Sequence, residues 1–383
     1  MKKTIIYYGN FTLPDCNAAA HRVTSVGKIF RELGYNVIFL GANRDNCAFS
    51  GIRPVANSAG FEMYEEAYPS TTVQWFKWLH DISNLEALIK KHPETVAIVL
   101  YNSPYTIITR AAKLTKSLGI KLVYDYPEWC DVTQGSLPKL IIKRLDTQLI
   151  RKLMPKKVDG LIVISSFMQN HYKDFAKPIV KLTPMVDVKD PIWHAEPYKS
   201  SHPISFCFAG TIDAEKDYLH MIVKAFLGVT NSSVGLDIIG VAQEDFRAMY
   251  PEILPEKAPE NITFFGRLSH TETISHVLGT DYYIFVRPKD LRNTAGFPTK
   301  FTEAATVGAP IITTDVSDVK EFIGKSVKGY IIPELSVEAV RSTIEYAVAQ
   351  NKQEKKENRK ICDVFDYRGH TQKVSAWLGE LLN

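Results

Sequence analysis

The chain has 383 residues, 45% hydrophobic and 23% charged, enough for two ordinary domains with a core each. Its net charge of +4 permits a phosphate-rich partner without requiring one, and no apolar run approaches the ~20 residues of a membrane span. The opening run Thr4–Tyr8 stops at Gly9-Asn10, too short for a signal peptide. The five cysteines (Cys16, Cys47, Cys130, Cys207, Cys362) are scattered without a Cys-x-x-Cys pair, a pattern that suits a reducing cytosol and offers neither a disulfide framework nor a zinc site.

From the N-terminus, short β-branched runs alternate with helical patterns, the signature of parallel βαβ units. Strands are predicted over Thr4–Tyr8, Val37–Leu40, Val96–Tyr101, Lys121–Tyr124 and Gly160–Ile164. Helices are predicted over Asn17–Leu33, closed by Gly34, and over Trp75–Lys91. The rhythm breaks at Asp187–Pro203, among Pro191, Pro197 and Pro203, which places an inter-domain linker there. A second series has strands at Ile204–Ala209, Leu236–Ile239, Ile262–Phe265, Tyr282–Val286, Pro310–Thr313 and Gly329–Ile332. The charge run Lys352–Arg359 reads as a solvated helix face, and a last helix spans Gly369–Leu382 with Trp377, Leu378, Leu381 and Leu382 on its apolar side. The expected division is an α/β domain over 1–190, a second over 200–365 and a terminal helix in 366–383.

Doubly wound sheets bind ligands at the carboxyl ends of their strands. At one such end stands NTAGFPTKFTEAATVGAPIITTD, residues 293–315. Pro298 suits the first turn of a helix, where its missing N–H would be unpaired anyway, and Gly296 lets the backbone pass close to a ligand. The free amides of Thr299 and Lys300 would then form an anion site for a diphosphate. Glu303, a turn further on, can accept hydrogen bonds from two neighbouring sugar hydroxyls. Gly308 ends the helix and Pro310 opens the next strand.

This segment resembles the nucleotide-sugar site of retaining glycosyltransferase family four, enzymes of GT-B architecture with two facing Rossmann-like doubly wound domains. The family's Glu-x7-Glu motif and its following Gly-x-Pro-Val-Ile are matched by Ala295-Gly296-Phe297-Pro298, Glu303 and Gly308-Ala309-Pro310-Ile311-Ile312. The ribose-holding second glutamate maps to Glu303, while the first is replaced by Ala295. Gly296-Phe297-Pro298-Thr299-Lys300 is similar to the Gly-x-Pro-x-Lys form of a branch that includes enzymes of surface polysaccharide assembly.

FAGTIDAEKDYLHMIVKAF (208–226) looks like the strand, turn and helix whose Gly-Arg…Lys-Gly holds the donor diphosphate. Gly210 and Lys216 match it, but Thr211 stands where the arginine is expected and Asp217 replaces the glycine. The first half is similar to the family in its opening strand and loop, with Gly9-Asn10 for a double glycine. The same holds for VDGLIVISSFMQNHY and for LTPMVD. The resemblance implies a terminal helix that crosses back to the first domain. It also implies a donor set of Gly9, Asn10, Gly210, Thr211, Arg287, Asn293, Gly296, Phe297, Thr299, Lys300 and Glu303.

Glycosyl transfer from a nucleotide needs positive charge opposite the leaving diphosphate. With the arginine missing at Thr211, Lys300 is expected to supply it, paired with Lys216. The chain has no Asp-x-Asp pair and no histidine cluster, so a metal-independent enzyme without a cofactor is expected, with the nucleotide sugar as a substrate. No Gly-x-Gly-x-x-Gly follows any strand, which argues against a dehydrogenase. On the acceptor side, KLVYDYPEWCD (121–131) is expected to put Asp125, Tyr126, Glu128 and Trp129 beyond a strand end, with Asp125 and Glu128 orienting an acceptor hydroxyl. Trp129 either stacks on a sugar or packs the loop. In retaining enzymes of this type the leaving phosphate is generally proposed to take the acceptor's proton, from the same face.

The segment 138–157 carries Lys139, Lys143, Arg144, Arg151, Lys152, Lys156 and Lys157 against the single acid Asp146. It reads either as an amphipathic contact with an anionic membrane surface or as an ordinary helix with a basic face. Nucleic-acid binding is not expected, because no aromatic and basic residues interleave. The resulting expectation is a cytoplasmic or peripherally membrane-bound retaining glycosyltransferase that moves a sugar to a saccharide or lipid-linked saccharide, in bacterial surface polysaccharide synthesis. Two alternatives stay open: a GT-B nucleotide-sugar epimerase and a catalytically silent donor-binding subunit.

Overall fold

The computed structural model describes residues 2–14, 17–43, 49–57, 59–129, 137–175, 177–212, 216–257, 259–350 and 359–383. Cys16, Cys47, Cys130 and the charge run apart from Arg359 lie outside them. The chain divides into two compact units, Met1–Met185 with Tyr367–Asn383, and Val186–Asp366.

The first unit runs β1 (Thr4–Gly9), α1 (Ala18–Glu32), β2 (Asn36–Asn43), β3 (Ile52–Pro54), β4 (Glu62–Ala67), α2 (Thr72–Trp78), α3 (Ser83–Lys91), β5 (Thr95–Tyr101), α4 (Tyr105–Leu118), β6 (Lys121–Tyr126), α5 (Leu137–Leu153), β7 (Gly160–Val163), α6 (Ser166–Tyr172) and β8 (Ile179–Lys181). Its strands pair in the order β3-β4-β2-β1-β5-β6-β7-β8, parallel except for β3 on β4. Ile5, Ile6 and Tyr7 of β1 are all buried, as a continuous apolar run must be in a parallel strand covered on both faces. Asn17 caps α1 by accepting from the Ala20 N–H at 2.9 Å. Gly27 lets α1 lie directly on Phe39, since a Cβ there would stand 2.4 Å from the ring.

The sequence pattern misses β4 because EMYEEA is not an apolar run, yet Glu66 is buried and accepts from Tyr8, Trp78 and Asn84. The helix expected over Trp75–Lys91 is two, with the second beginning where Asp81 accepts from the Ser83 N–H at 3.0 Å. The last helix, α13 (Thr371–Leu382), returns to this unit and buries Val374, Trp377, Leu378 and Leu381. At ~1.5–3 kcal/mol for each buried side chain, these four residues make α13 a fixed part of the unit.

The second unit runs β9 (Ile204–Ala209), α7 (Leu219–Leu227), β10 (Val234–Ile239), α8 (Gln243–Met249), β11 (Ile262–Gly266), α9 (His270–Gly279), β12 (Tyr282–Phe285), α10 (Leu291–Ala295), α11 (Thr299–Thr306), β13 (Ile311–Thr314), β14 (Gly329–Ile332) and α12 (Val337–Ala349). Its sheet is wholly parallel, in the order β11-β10-β9-β12-β13-β14. That order reverses direction between β9 and β12, where doubly wound sheets open a crevice at their carboxyl edge.

The stretch 187–203, expected as a linker, is instead packed into this unit. Trp193 is buried and donates to the Asp187 carbonyl at 2.8 Å, and the Tyr198 ring stacks on His276 with centroids 3.9 Å apart. Its prolines break helical periodicity, while its aromatic side chains still bury.

Candidate donor site at the carboxyl edge of the second sheet

The reversal point brings together the ends of β9 and β12. Strand β9 is followed by Gly210, and β12 by Val286 and Arg287. The Arg287 backbone is fixed by β13: its N–H donates to Thr314 Oγ1 at 3.0 Å and its carbonyl accepts from the same hydroxyl at 2.7 Å. Its guanidinium turns in and donates from Nε to Asp217 Oδ1 at 2.7 Å, with both side chains buried.

Lys300, in the first turn of α11, donates from Nζ to Asp217 Oδ2 at 2.6 Å and lies over the Phe208 ring, 4.6 Å from its centroid. One carboxylate therefore holds two cations. Gly210 is what admits the lysine: a Cβ there would stand 2.0 Å from Lys300 Nζ. Lys300 thus occupies the turn beside Thr211, where the sequence lacks the expected arginine.

The electrostatics follow from burial and opposed charge. Burial pushes the Asp217 carboxyl up, but Lys300 and Arg287 outweigh it and hold the group below the usual carboxylate range. Burial lowers the Lys300 ammonium; Asp217 opposes the shift, Arg287 and Lys216 add to it, and the result lies below the ordinary lysine value. Two cations against one acid leave a net positive site, and Lys216 adds to it at close enough range to act on Lys300.

Helix α11 spans Thr299–Thr306 with Pro298 as its N-cap, one residue before the expected first turn. Glu303 lies one turn beyond Lys300 on the same helix, partly exposed, with Oε1 3.4 Å from His270 Nε2 at the start of α9. Phe301, Thr302, Ala304 and Ala305 are buried around it. Gly308, at φ +70°, ends the helix in the left-handed region that favours glycine.

Thr299 and Thr211 are exposed. Asn293 is buried in α10, where Asp290 accepts from its N–H at 2.7 Å, and among the described residues its Oδ1 has no hydrogen-bond partner. That leaves a buried acceptor on α10 without a protein partner among the described residues.

Some expected site residues serve packing instead. The Phe297 ring sits in an aromatic cluster with Phe301, Phe322 and Phe365, at centroid distances of 5.8, 5.9 and 6.0 Å, so only its backbone is free for a ligand. Asp125 is within β6 rather than beyond it, and it is fully buried. Arg22 Nη2 donates to Asp125 Oδ1 at 2.7 Å, and Tyr7 donates its hydroxyl to Oδ2. A further Arg22 nitrogen, Nη1, reaches the Leu182 carbonyl at 2.8 Å. This corrects the acceptor role expected for Asp125: a carboxylate so enclosed is an internal tie of the first unit.

Trp129 packs its loop, stacked on Tyr126 at 6.2 Å with Arg151 over its ring at 4.5 Å. Glu128 alone of this acidic pair is partly exposed in the loop. Gly9 ends β1 in the first unit and Asn10 follows it; a Cβ on Gly9 would meet the Tyr101 carbonyl oxygen at 2.2 Å. The residues 213–215 of the expected diphosphate turn lie outside the described ones.

Sequence reasoning missed Asp217 and His270. The signal for Asp217 was present, as an acid in the place of a glycine in the same chain that gains Lys300.

Residues 190–361, which lie within the second unit, match the family described as "Glycosyl transferases group 1". No curated protein sequence matches significantly. Among solved structures, the chain is similar to sucrose-phosphate synthase from Thermosynechococcus elongatus, with 14% identity, a TM-score of 0.71 and 99% of each chain covered. Anabaena HepE in complex with UDP is similar at 12% identity and TM-score 0.64, covering 99% of this chain and 100% of that one. The pneumococcal O-GlcNAc transferase GtfA, in complex with UDP and GlcNAc, is similar at 14% identity and TM-score 0.63, covering 100% and 99%. At these identities the likeness establishes the fold, α/β with two parallel-sheet domains as in GT-B glycosyltransferases.

Proposed function

We propose that the protein is a retaining glycosyltransferase that moves a sugar from a nucleoside diphosphate donor to a saccharide, free or lipid-linked, in surface polysaccharide assembly. The observation that carries this reading is the cation pair Lys300 and Arg287, held by Asp217 at the reversal point of the second sheet. The family match over 190–361 and the UDP complexes of two similar structures support it.

In this reading the donor diphosphate lies against Lys300, Lys216 and the free amides at the start of α11. Fixed positive charge there stabilises the diphosphate as the bond to the sugar breaks. Glu303 accepts from the ribose hydroxyls. Because Lys300 and Arg287 are already anchored, little reorganisation accompanies charge development on the leaving group. The charge comes from side chains, so the proposed transfer needs no metal. With Asp125 enclosed, the acceptor's proton passes to the departing phosphate on the same face of the sugar.

The test is calorimetric titration with UDP, ADP and GDP in EDTA, followed by incubation of the matching nucleotide sugars with a panel of saccharide acceptors and assignment of the product anomer by NMR. Tight binding of one nucleotide, with an anomer retained in the product, is the expected result. Binding without turnover on any acceptor would favour a silent donor-binding subunit, and epimerised donor without acceptor would favour an epimerase. No nucleotide binding at all would remove the donor site.

A further inference from the structure

In the first unit, α5 presents an outer face dominated by apolar and basic side chains, with Gln148 among them. Leu137, Ile141 and Leu145, spaced four apart and therefore on one side of the helix, are 75%, 63% and 59% exposed. Lys143, Arg144, Lys152, Lys156 and Lys157 are exposed along the same segment. The single acid of the segment is withdrawn: Asp146 turns inward and accepts from the Tyr105 N–H at the start of α4, at 2.8 Å. The opposite side of α5 is seated in the unit through Ile150, with Met154 buried in the turn that follows.

Helix α2 extends this surface. Lys139 of α5 lies over the Trp75 ring of α2, 5.9 Å from its centroid. Beside Trp75, Val73 and Phe76 are 79% and 44% exposed, and Lys77 is exposed with them. Helix α2 contains no acid. Five large apolar side chains thus stand outward on two helices that meet through Lys139 and Trp75, among cations. No helix of the described residues is long and apolar enough to cross a membrane.

We infer that this two-helix face docks on an anionic lipid bilayer, with Leu137, Ile141, Leu145, Val73 and Phe76 entering the headgroup boundary and the lysines contacting lipid phosphates. The charge pattern selects this occupant. A soluble protein partner or a second copy of the chain would be expected to meet the lysines with acids, and the face itself offers none for self-complementary pairing. An acidic lipid surface accepts any arrangement of cations around an apolar stripe. The inference stands independently of the donor site.

The experiment is co-sedimentation of the full chain with sucrose-loaded vesicles of phosphatidylcholine alone and of phosphatidylcholine with phosphatidylglycerol, at low and high salt. Wild type is expected to bind the anionic vesicles and to be released by salt. Lys152, seven residues after Leu145, lies on the side of the apolar stripe, and exposed Lys156 follows it by four; with each cation near the surface worth about five-fold in partitioning, Lys152→Gln with Lys156→Gln is expected to lose about 25-fold. Ile141→Asn with Leu145→Asn is expected to lose at least about tenfold.

All four positions are exposed, so an unchanged thermal midpoint is expected in both variants and is measured alongside. Equal binding to the two vesicle types, or full binding by both variants, overturns the inference. So does a lipid-free dimer that Ile141→Asn with Leu145→Asn dissociates while no form binds vesicles, because the face then belongs to a second copy.

Discussion

Lys300 and Asp217 meet at the carboxyl edge of the second sheet, with Nζ 2.6 Å from Oδ2, while Asp217 Oδ1 accepts from Arg287 at 2.7 Å. The shared carboxylate makes the cluster asymmetric. Removing Lys300 leaves Asp217 still paired with Arg287; removing Asp217 leaves two largely buried cations facing each other. Asp217→Ala is therefore expected to destabilise the protein by about 3–5 kcal/mol. Lys300→Ala is expected to cost about 1 kcal/mol of stability and about 10²–10³ in turnover. Urea midpoints of both variants, with nucleotide release assayed for Lys300→Ala, check the contrast; equal destabilisation would refute it.

Titration gives the same cluster a signature in pH. Asp217 is held below its ordinary value of 3.8, so its stabilising contribution is present above that value and is lost as pH falls through the depressed folded value. Lys300 is held below 10.5, so the folded chain surrenders that proton first, and its contribution to stability rises with pH between the folded value and 10.5. Donor binding should do the reverse, because the neutral amine no longer opposes a diphosphate. Nucleotide affinity is expected to fall with a midpoint below pH 10.5, while the stability difference between wild type and Lys300→Met moves in favour of wild type. An affinity that stays flat to pH 10.5 would separate Lys300 from the donor.

Gly210 tests whether the position of the lysine, rather than its presence, matters. A methyl at Gly210 would stand 2.0 Å from Nζ and 2.4 Å from Cε of Lys300. The far end of a flexible side chain yields cheaply, but Gly210 sits at φ +159°, which L side chains rarely adopt, so Gly210→Ala is expected to cost about 1–3 kcal/mol of stability and, in the folded protein, to weaken nucleotide binding about tenfold by displacing the amine. Unchanged affinity would mean that the approach to Asp217 is incidental.

The enclosed ion pair of the first unit yields a stability prediction. Asp125→Ala leaves Arg22 with the Leu182 carbonyl but no buried counter-charge, at an expected cost of about 3–5 kcal/mol. Turnover per folded molecule is expected to hold, since Asp125 is not placed to meet an acceptor. A variant as stable as wild type yet inactive would return Asp125 to the acceptor site.

What the sequence made legible, and what it did not, follows from the range of the forces involved. Core strands such as Ile204–Ala209 are dominated by apolar residues with clear ends, and both the strand and the Gly308 helix stop were readable from local pattern. Strand β4 was not, because its glutamates are made buriable by Tyr8, Trp78 and Asn84, partners that pattern reading along β4 does not connect to it. The short helix that carries both Lys300 and Glu303 was legible from Pro298 before it and Gly308 after it. Asp217 was seen only as a departure from a motif. Its meaning depends on Arg287 and Lys300, 70 and 83 residues away, and only the strand order brings them together. Asp125 was misplaced by two residues of strand, enough to move a carboxylate from an exposed loop into a core.

The contact between Glu303 and His270 decides how the ribose role is tested. Glu303 Oε1 lies 3.4 Å from His270 Nε2, so a ribose hydroxyl must share or displace that neighbour. Hydrogen bonds to a charged group are worth ~1.5–3 kcal/mol. Glu303→Ala should therefore weaken nucleotide binding by roughly ten- to hundredfold, and 2′-deoxy nucleotides should show the same loss on wild type but little further loss on the variant. His270→Ala removes the competitor without touching the carboxylate, so its affinity should match or exceed that of wild type. Calorimetry on the two variants with ribo- and deoxyribonucleotides closes this cycle. If His270→Ala binds as poorly as Glu303→Ala, the pair acts as a unit and the ribose is held by both.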